Sequence, residues 1–353
     1  LSNEDDELPL IGEDAGMTFA PRAFAPAEMV ACDACLRGNP PTRMNCLYCG
    51  AALPAPAAGV DLRRPTLRPL EAWEQGFNVV LPWTEDEPCE LSVDNLTEAA
   101  ALLHLEAGQL REIWDARTHL PLARAATRDE AALVERKLRA LGWRVEVVAD
   151  EALGVETDPP KRIRKLEIGT DALAGWTSAE GESARVAWES VTLLVAGRIA
   201  RKRIEVEERR GGGRRRGAES DVVETREFHE DESALDLYFA DSIVNWRIMA
   251  ENFDYTCLGA AKGLTAAENF KRLVETLGQR APRAVYDDSY RSARHYLKFA
   301  WPLAEQTEAG SLKRIAPGRY NAEAVTSMTN ETQFTRYGRL LQYFRLRELS
   351  TPT

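Results

Sequence analysis

Cys32-Asp33-Ala34-Cys35 is followed, after ten residues, by Cys46-Leu47-Tyr48-Cys49-Gly50. No other stretch of the chain dictates a chemistry by residue type and spacing. Two Cys-x-x-Cys turns facing each other place four thiolates at the corners of a tetrahedron, the donor set of a structural zinc site. A piece of about twenty residues cannot enclose a hydrophobic core, so residues 31–52 must take their fold from a metal. Structural zinc contributes roughly 10–16 kcal/mol of apparent binding energy in small peptides. One structural Zn2+ per chain is therefore expected on Cys32, Cys35, Cys46 and Cys49. With cysteine at all four positions no place remains for an activated water, so catalysis at the metal is not expected. Gly38 and Gly50 follow the two turns and are expected to supply a positive φ as the chain wraps its amides around sulfur.

The segment resembles the short zinc ribbons placed at the front of many bacterial proteins, over these residues only. The resemblance implies a metal-folded knob that touches protein or nucleic acid. Arg37 and Arg43 are its only bases and Tyr48 its only aromatic residue, so protein is the partner expected first.

The formal net charge of −11 gives no general attraction to nucleic acid or an anionic membrane. Local charge is uneven. Residues 1–14 carry six acids and no base, whereas 198–216 hold nine Arg or Lys against three Glu. The two remaining cysteines, Cys89 and Cys257, are far apart, a pattern of a reducing compartment. There is no apolar run of the roughly eighteen residues a membrane helix needs, and no basic, apolar leader at the start. A cytoplasmic location is expected.

The expected fold class is multidomain α+β. An acidic, Pro/Ala-rich tail spans 1–30 and the zinc ribbon 31–52. A Pro-rich extended linker covers 53–90, whose apolar middle, Leu70 to Trp83, is expected to lie on a domain surface as an edge strand. A small α/β module covers 91–153: Asp94 caps a helix interrupted at Gly108, and a βαβ unit follows, with Thr127 and Glu130 forming a capping box. This unit resembles half of a ferredoxin-like sandwich. Residues 154–280 show successive short strands, from Ile163–Ile168 to Tyr255–Leu258, and then a helix started by Thr265. Their order resembles a pleckstrin-homology-like antiparallel β-barrel closed by a helix. Residues 281–353 are expected to be a helical C-terminal extension. In it Tyr286 to Trp301 form one helix. Asn330 caps another with Phe334, Tyr337, Leu340, Leu341 and Phe344 inward and Arg336, Arg339, Arg345 and Arg347 mostly outward.

The second conspicuous stretch runs from Arg209 to Gly217. Arg209, Arg210, Arg214, Arg215 and Arg216 flank three glycines between strands and form a candidate contact for a phosphate, RNA or acidic protein partner. His104, His119, His229 and His295 stand without a ligand or triad pattern, and no catalytic or cofactor-binding residue is assigned. The expectation is a noncatalytic interaction or scaffold protein, a subunit or adaptor of a bacterial complex. Two alternatives stay open: a nucleic-acid-associated regulator using the ribbon and the arginine loop, and an enzyme or small-ligand protein with a pocket between barrel and helices. A second protomer is among the surfaces the last helix can cover.

Overall fold

The computed structural model describes residues 24–54, 65–83, 92–178, 181, 183–209, 221–240, 244–316 and 319–350. Two compact units divide between Pro65 and Thr66. In the first, Val30–Ala31 (β1) pairs antiparallel with Gly38–Asn39 (β2), and an isolated bridge joins Asn45 to Ala52. Among the described residues its buried apolar cluster is Cys32, Cys46 and Leu53, and Met44 is buried outside that cluster. That is far too little apolar surface to hold a fold, and it leaves cohesion to the cysteines.

The second unit begins its first sheet with Phe77–Leu81 (β3). Two helices, Val93–Leu103 (α1) and Ala107–Asp115 (α2), precede Leu120–Ala125 (β4); Arg128–Ala140 (α3), Glu146–Ala149 (β5) and the short Asp150–Leu153 (α4) follow. β3 is the central strand, antiparallel to β4 on one side and β5 on the other, and not the expected edge. Its Val79, Val80 and Leu81 are all buried, which requires cover on both faces. Ser92, not Asp94, caps α1, and the helix ends at His104 in the left-handed region (φ 58°), four residues before Gly108. Thr127 accepts from the Glu130 amide as expected. The Glu130 carboxylate instead turns to the backbone N–H groups of Thr66 and Leu67, at 2.7 and 2.9 Å.

The expected strand Ile163–Ile168 is two strands, Lys161–Ile163 (β6) and Lys165–Ile168 (β7), in different sheets. β7, Ala172–Trp176 (β8) and Ser183–Ala187 (β9) form a three-stranded antiparallel sheet. Val191–Arg209 (β10) and Asp221–Phe239 (β11) are single strands of 19 residues each, paired along their length. Trp246–Met249 (β12) adds to β11, and β6 runs parallel to β12. Tyr255–Ala261 is a 3-10 helix and not a strand, started by the Asp254 side chain accepting from the Thr256 amide. Ala266–Arg280 (α5) follows, with Thr265 as its cap.

Residues 281–353 are not purely helical. Val285–Asp287 (β13) pairs parallel with β10, and the helix expected from Tyr286 is confined to Tyr290–Leu297 (α6). Ala304–Ala316 (β14) and Arg319–Thr329 (β15) form a hairpin between the two expected helices. Glu331–Ser350 (α7) closes the described chain.

The barrel expectation fails here. The order β14-β15-β10-β11-β12-β6 is open, with β13 beside β10 as a seventh strand, and β7-β8-β9 stand apart as their own sheet. The outer half of β10, from Arg201 onward, pairs with β15. The edge a barrel would close is thus occupied by a hairpin from the C-terminal segment. α5 covers a face of this sheet and does not plug an end: Phe270, Leu273 and Leu277 share a core with Leu194, Leu235, Leu237, Trp246 and Ile248. The alternate residues Leu193, Val195, Ala234, Tyr238 and Met249 point to the other core, shared with β3 to β5, α6 and α7.

α7 lies inside this second core, so its polar stripe is also covered. Arg336 and Arg339, expected outward, are buried. Arg336 donates to the Ala72 carbonyl, and Arg339 to that of Asp158. Asn330 is not a side-chain cap: its Oδ1 accepts from the Ala200 amide and its Nδ2 donates to the Arg198 carbonyl, extending the sheet pairing by a side chain. Gly338 lets α7 approach β11, since a Cβ there would run into the Tyr238 hydroxyl.

Glu331, at the start of α7, joins Arg162 at 2.7 Å, Arg201 at 3.0 Å and Arg247 at 3.1 Å. Burial works against its charge, yet these guanidinium groups hold the carboxyl down to about 2. A depressed carboxylate stabilises the fold above its unfolded value and loses that contribution as pH falls toward the folded value. Wild type is therefore expected to exceed Glu331→Gln in unfolding free energy by on the order of 2 kcal/mol at neutral pH. The gap should close between about pH 4.5 and 2, as read by urea denaturation at stepped pH.

Candidate metal centre

The two Cys-x-x-Cys turns are built alike. The Leu36 amide donates to the Cys32 carbonyl at 2.7 Å, and the Gly50 amide to the Cys46 carbonyl at 3.0 Å. The Cys32 amide reaches the Arg37 carbonyl, and the Cys46 amide that of Ala51. The position after the second cysteine of each turn is left-handed: Gly50 at φ 75° and Leu36 at φ 60°. Gly50 meets its expectation. Gly38 does not, because the turn it follows puts the strained residue at Leu36 and leaves Gly38 in β2.

All four sulfurs lie within 4.8 Å of one another, with Cys32 to Cys49 and Cys35 to Cys46 each at 3.5 Å. A tetrahedral ion with bonds of about 2.3 Å to thiolate needs sulfurs about 3.8 Å apart, so the donor set fits a bound metal. Among the described residues this is the one group of three or more His, Cys, Asp or Glu side chains placed to share an ion.

The four sulfurs are not equivalent. Cys32 and Cys46 are buried, Cys35 is half-buried and Cys49 is exposed. At Cys46 burial disfavours the thiolate, but N–H donors from Tyr48, Cys49 and the Asn39 side chain outweigh it and lower the thiol to about 6. Cys49 is pushed up to about 12 despite the Ala51 amide, because the neighbouring Cys32 sulfur and desolvation favour its proton. Such a polarised set is what a cation would level, since each ligand binds deprotonated.

Asn39 is the residue that sequence reasoning missed. Its place between the two turns, four residues after Cys35, was the available signal. Leu36, Leu47 and Tyr48 are exposed, and the Arg37 guanidinium lies 4.7 Å over the Tyr48 ring.

The other residues conspicuous in the sequence lie elsewhere. Arg210, Arg214, Arg215 and Arg216 lie outside the described residues, and Arg209 ends β10 with only its backbone described. His119 is half-buried, stacks on Phe344 at 4.3 Å and accepts from the Trp83 amide; desolvation lowers its basicity. His104 ends α1, while His229 and His295 are exposed. Cys257 is a free thiol raised to about 11 by burial and Asp254. A cleft of about 650 Å³ between α4 and α7 is lined by Glu151, Asp158, Arg339, Gln342, Tyr343 and Arg347. Arg347 pairs there with Glu146. No helix among the described residues is long and apolar enough to cross a membrane. The chain matches no protein-family model, no curated protein and no solved structure.

Proposed function

We propose that the chain is a noncatalytic interaction protein of the cytoplasm, in which a zinc ion on Cys32, Cys35, Cys46 and Cys49 folds a knob that docks a protein partner. The observation that carries this reading is the outward placement of apolar side chains on both cysteine turns: Leu36 is 81% exposed, Leu47 53% and Tyr48 56%. Four thiolate ligands leave the metal no open position for chemistry, so the metal's work is structural. Exposed apolar side chains on turns that a metal would hold rigid lose little entropy on docking, which favours recognition of another protein. The free thiols suit a reducing compartment.

The test is a paired substitution, Leu36→Glu with Leu47→Glu. Zinc should stay near one equivalent per chain by elemental analysis, while proteins that co-purify with the native chain are lost. An unchanged set of co-purifying proteins would sink the docking assignment. The Arg37–Tyr48 stack supports a second reading, since a guanidinium over an aromatic ring is also a platform for unpaired bases. Binding of single-stranded RNA or DNA that falls steeply with salt would favour that reading.

A further inference from the structure

We propose that Asn39 is a positioning residue for the metal, tuning the Cys46 sulfur as a ligand while tying one cysteine turn to the other; the proposal rests on the metal reading above. Asn39 is fully buried in a unit with almost no core. Its Nδ2 donates to the Arg37 carbonyl at 2.8 Å and lies 3.4 Å from the Cys46 sulfur. Its Oδ1 accepts from the Leu47 amide at 2.8 Å. One amide thus spans the first turn through Arg37 and the second through Leu47 and Cys46, using donor and acceptor together. Its backbone is held in β2 opposite Val30, so the side chain is aimed by the strand pairing.

The consequence lies at the sulfur. The N–H donors to Cys46 include the Asn39 side chain and the Tyr48 amide, each at 3.4 Å. Hydrogen bonds to a thiolate withdraw charge and weaken its donation to a metal, while fixing its direction. Such supporting contacts are typically worth 10–100-fold in metal affinity. Asn39 therefore sets both how firmly the site is assembled and how strongly one of its four ligands donates.

The test uses the full chain loaded with cobalt(II), whose sulfur-to-metal charge-transfer band reports thiolate donation, together with zinc affinity by chelator competition. Asn39→Ala should lose about 10–100-fold in zinc affinity and move the band to lower energy. Asn39→Asp keeps an acceptor for the Leu47 amide and removes the donor to sulfur, so it should move the band even where the turn stays folded. Wild-type affinity and band in both variants would overturn the proposal. So would complete loss of binding in both, or lower affinity with an unmoved band, since either leaves Asn39 a purely structural role. Failure of the wild-type chain to bind cobalt or zinc is a separate outcome, which would overturn the metal reading itself and this proposal with it.

Discussion

Cys46→Ser is expected to release the metal and unfold residues 31–52 while leaving the larger unit's thermal transition nearly unmoved. Cys46 is the strongest choice among the four ligands because it is buried at the centre of the small apolar cluster and its sulfur is directed by Asn39 and Tyr48. A serine hydroxyl is a poor ligand for a soft-to-borderline ion, and the three remaining thiolates cannot close a tetrahedron. The lost binding energy is the folding energy of this unit, roughly 10–16 kcal/mol in comparable peptides, against a core of three buried apolar residues. Elemental analysis should fall well below one equivalent, and limited proteolysis should cut between 31 and 52. The calorimetric transition of the larger unit should hold, because its cores run from Val79 to Phe344 and draw on no residue before Leu67. A main transition that fell with the ribbon would contradict the division at Pro65 and Thr66.

Asp236→Ala is the substitution expected to cost the larger unit most. Asp236 has no exposure to solvent and is paired with Arg247 through two bonds of 2.7 Å, while the Tyr238 hydroxyl donates to it at 3.3 Å. Arg247 reaches on to Glu331 and to the Thr335 hydroxyl, so the pair links β11, β12 and α7. Removing one partner leaves a buried cation with part of its compensation gone, at a cost of about 3–5 kcal/mol. Urea denaturation should show that loss with the metal content unchanged. Replacing both partners, Asp236→Leu with Arg247→Met, should recover most of the stability. Equal losses for the single and double replacements would show that packing, and not the stranded charge, sets the cost.

A local signal specifies structure where its cause is local. Thr127 and Thr265 cap their helices because a hydroxyl satisfies an amide three residues on, whatever surrounds it. Ala172–Trp176, one of the short strands expected in 154–280, is a strand that alternates between buried and half-buried residues. A signal that depends on a distant partner does not specify structure. The 3.6-residue pattern of α7 marks Phe334, Tyr337 and Leu341 as inward, but cannot say that the opposite face is also covered. Arg336 and Arg339 are buried because Ala72 and Asp158, far away in sequence, supply carbonyl acceptors. The large apolar groups of Leu70 to Trp83 imply an edge strand on a domain surface, whereas β4 and β5 meet β3 from both sides.

The cysteine spacing by itself marked the four-sulfur cluster that fits a metal ion, because four cysteines within eighteen residues leave the chain few ways to arrange them. It did not reveal that Leu36 bears the strained turn or that Asn39 joins the two halves; those follow from how the turns close in space. Whether the strands shut into a barrel was decided by tertiary structure alone. β10 has two edges to fill, and the hairpin that takes one of them arrives from residues 304–329, about a hundred positions later. Pairing of that kind is settled by which edge is free and which face is covered, and neither is written in any local stretch of sequence.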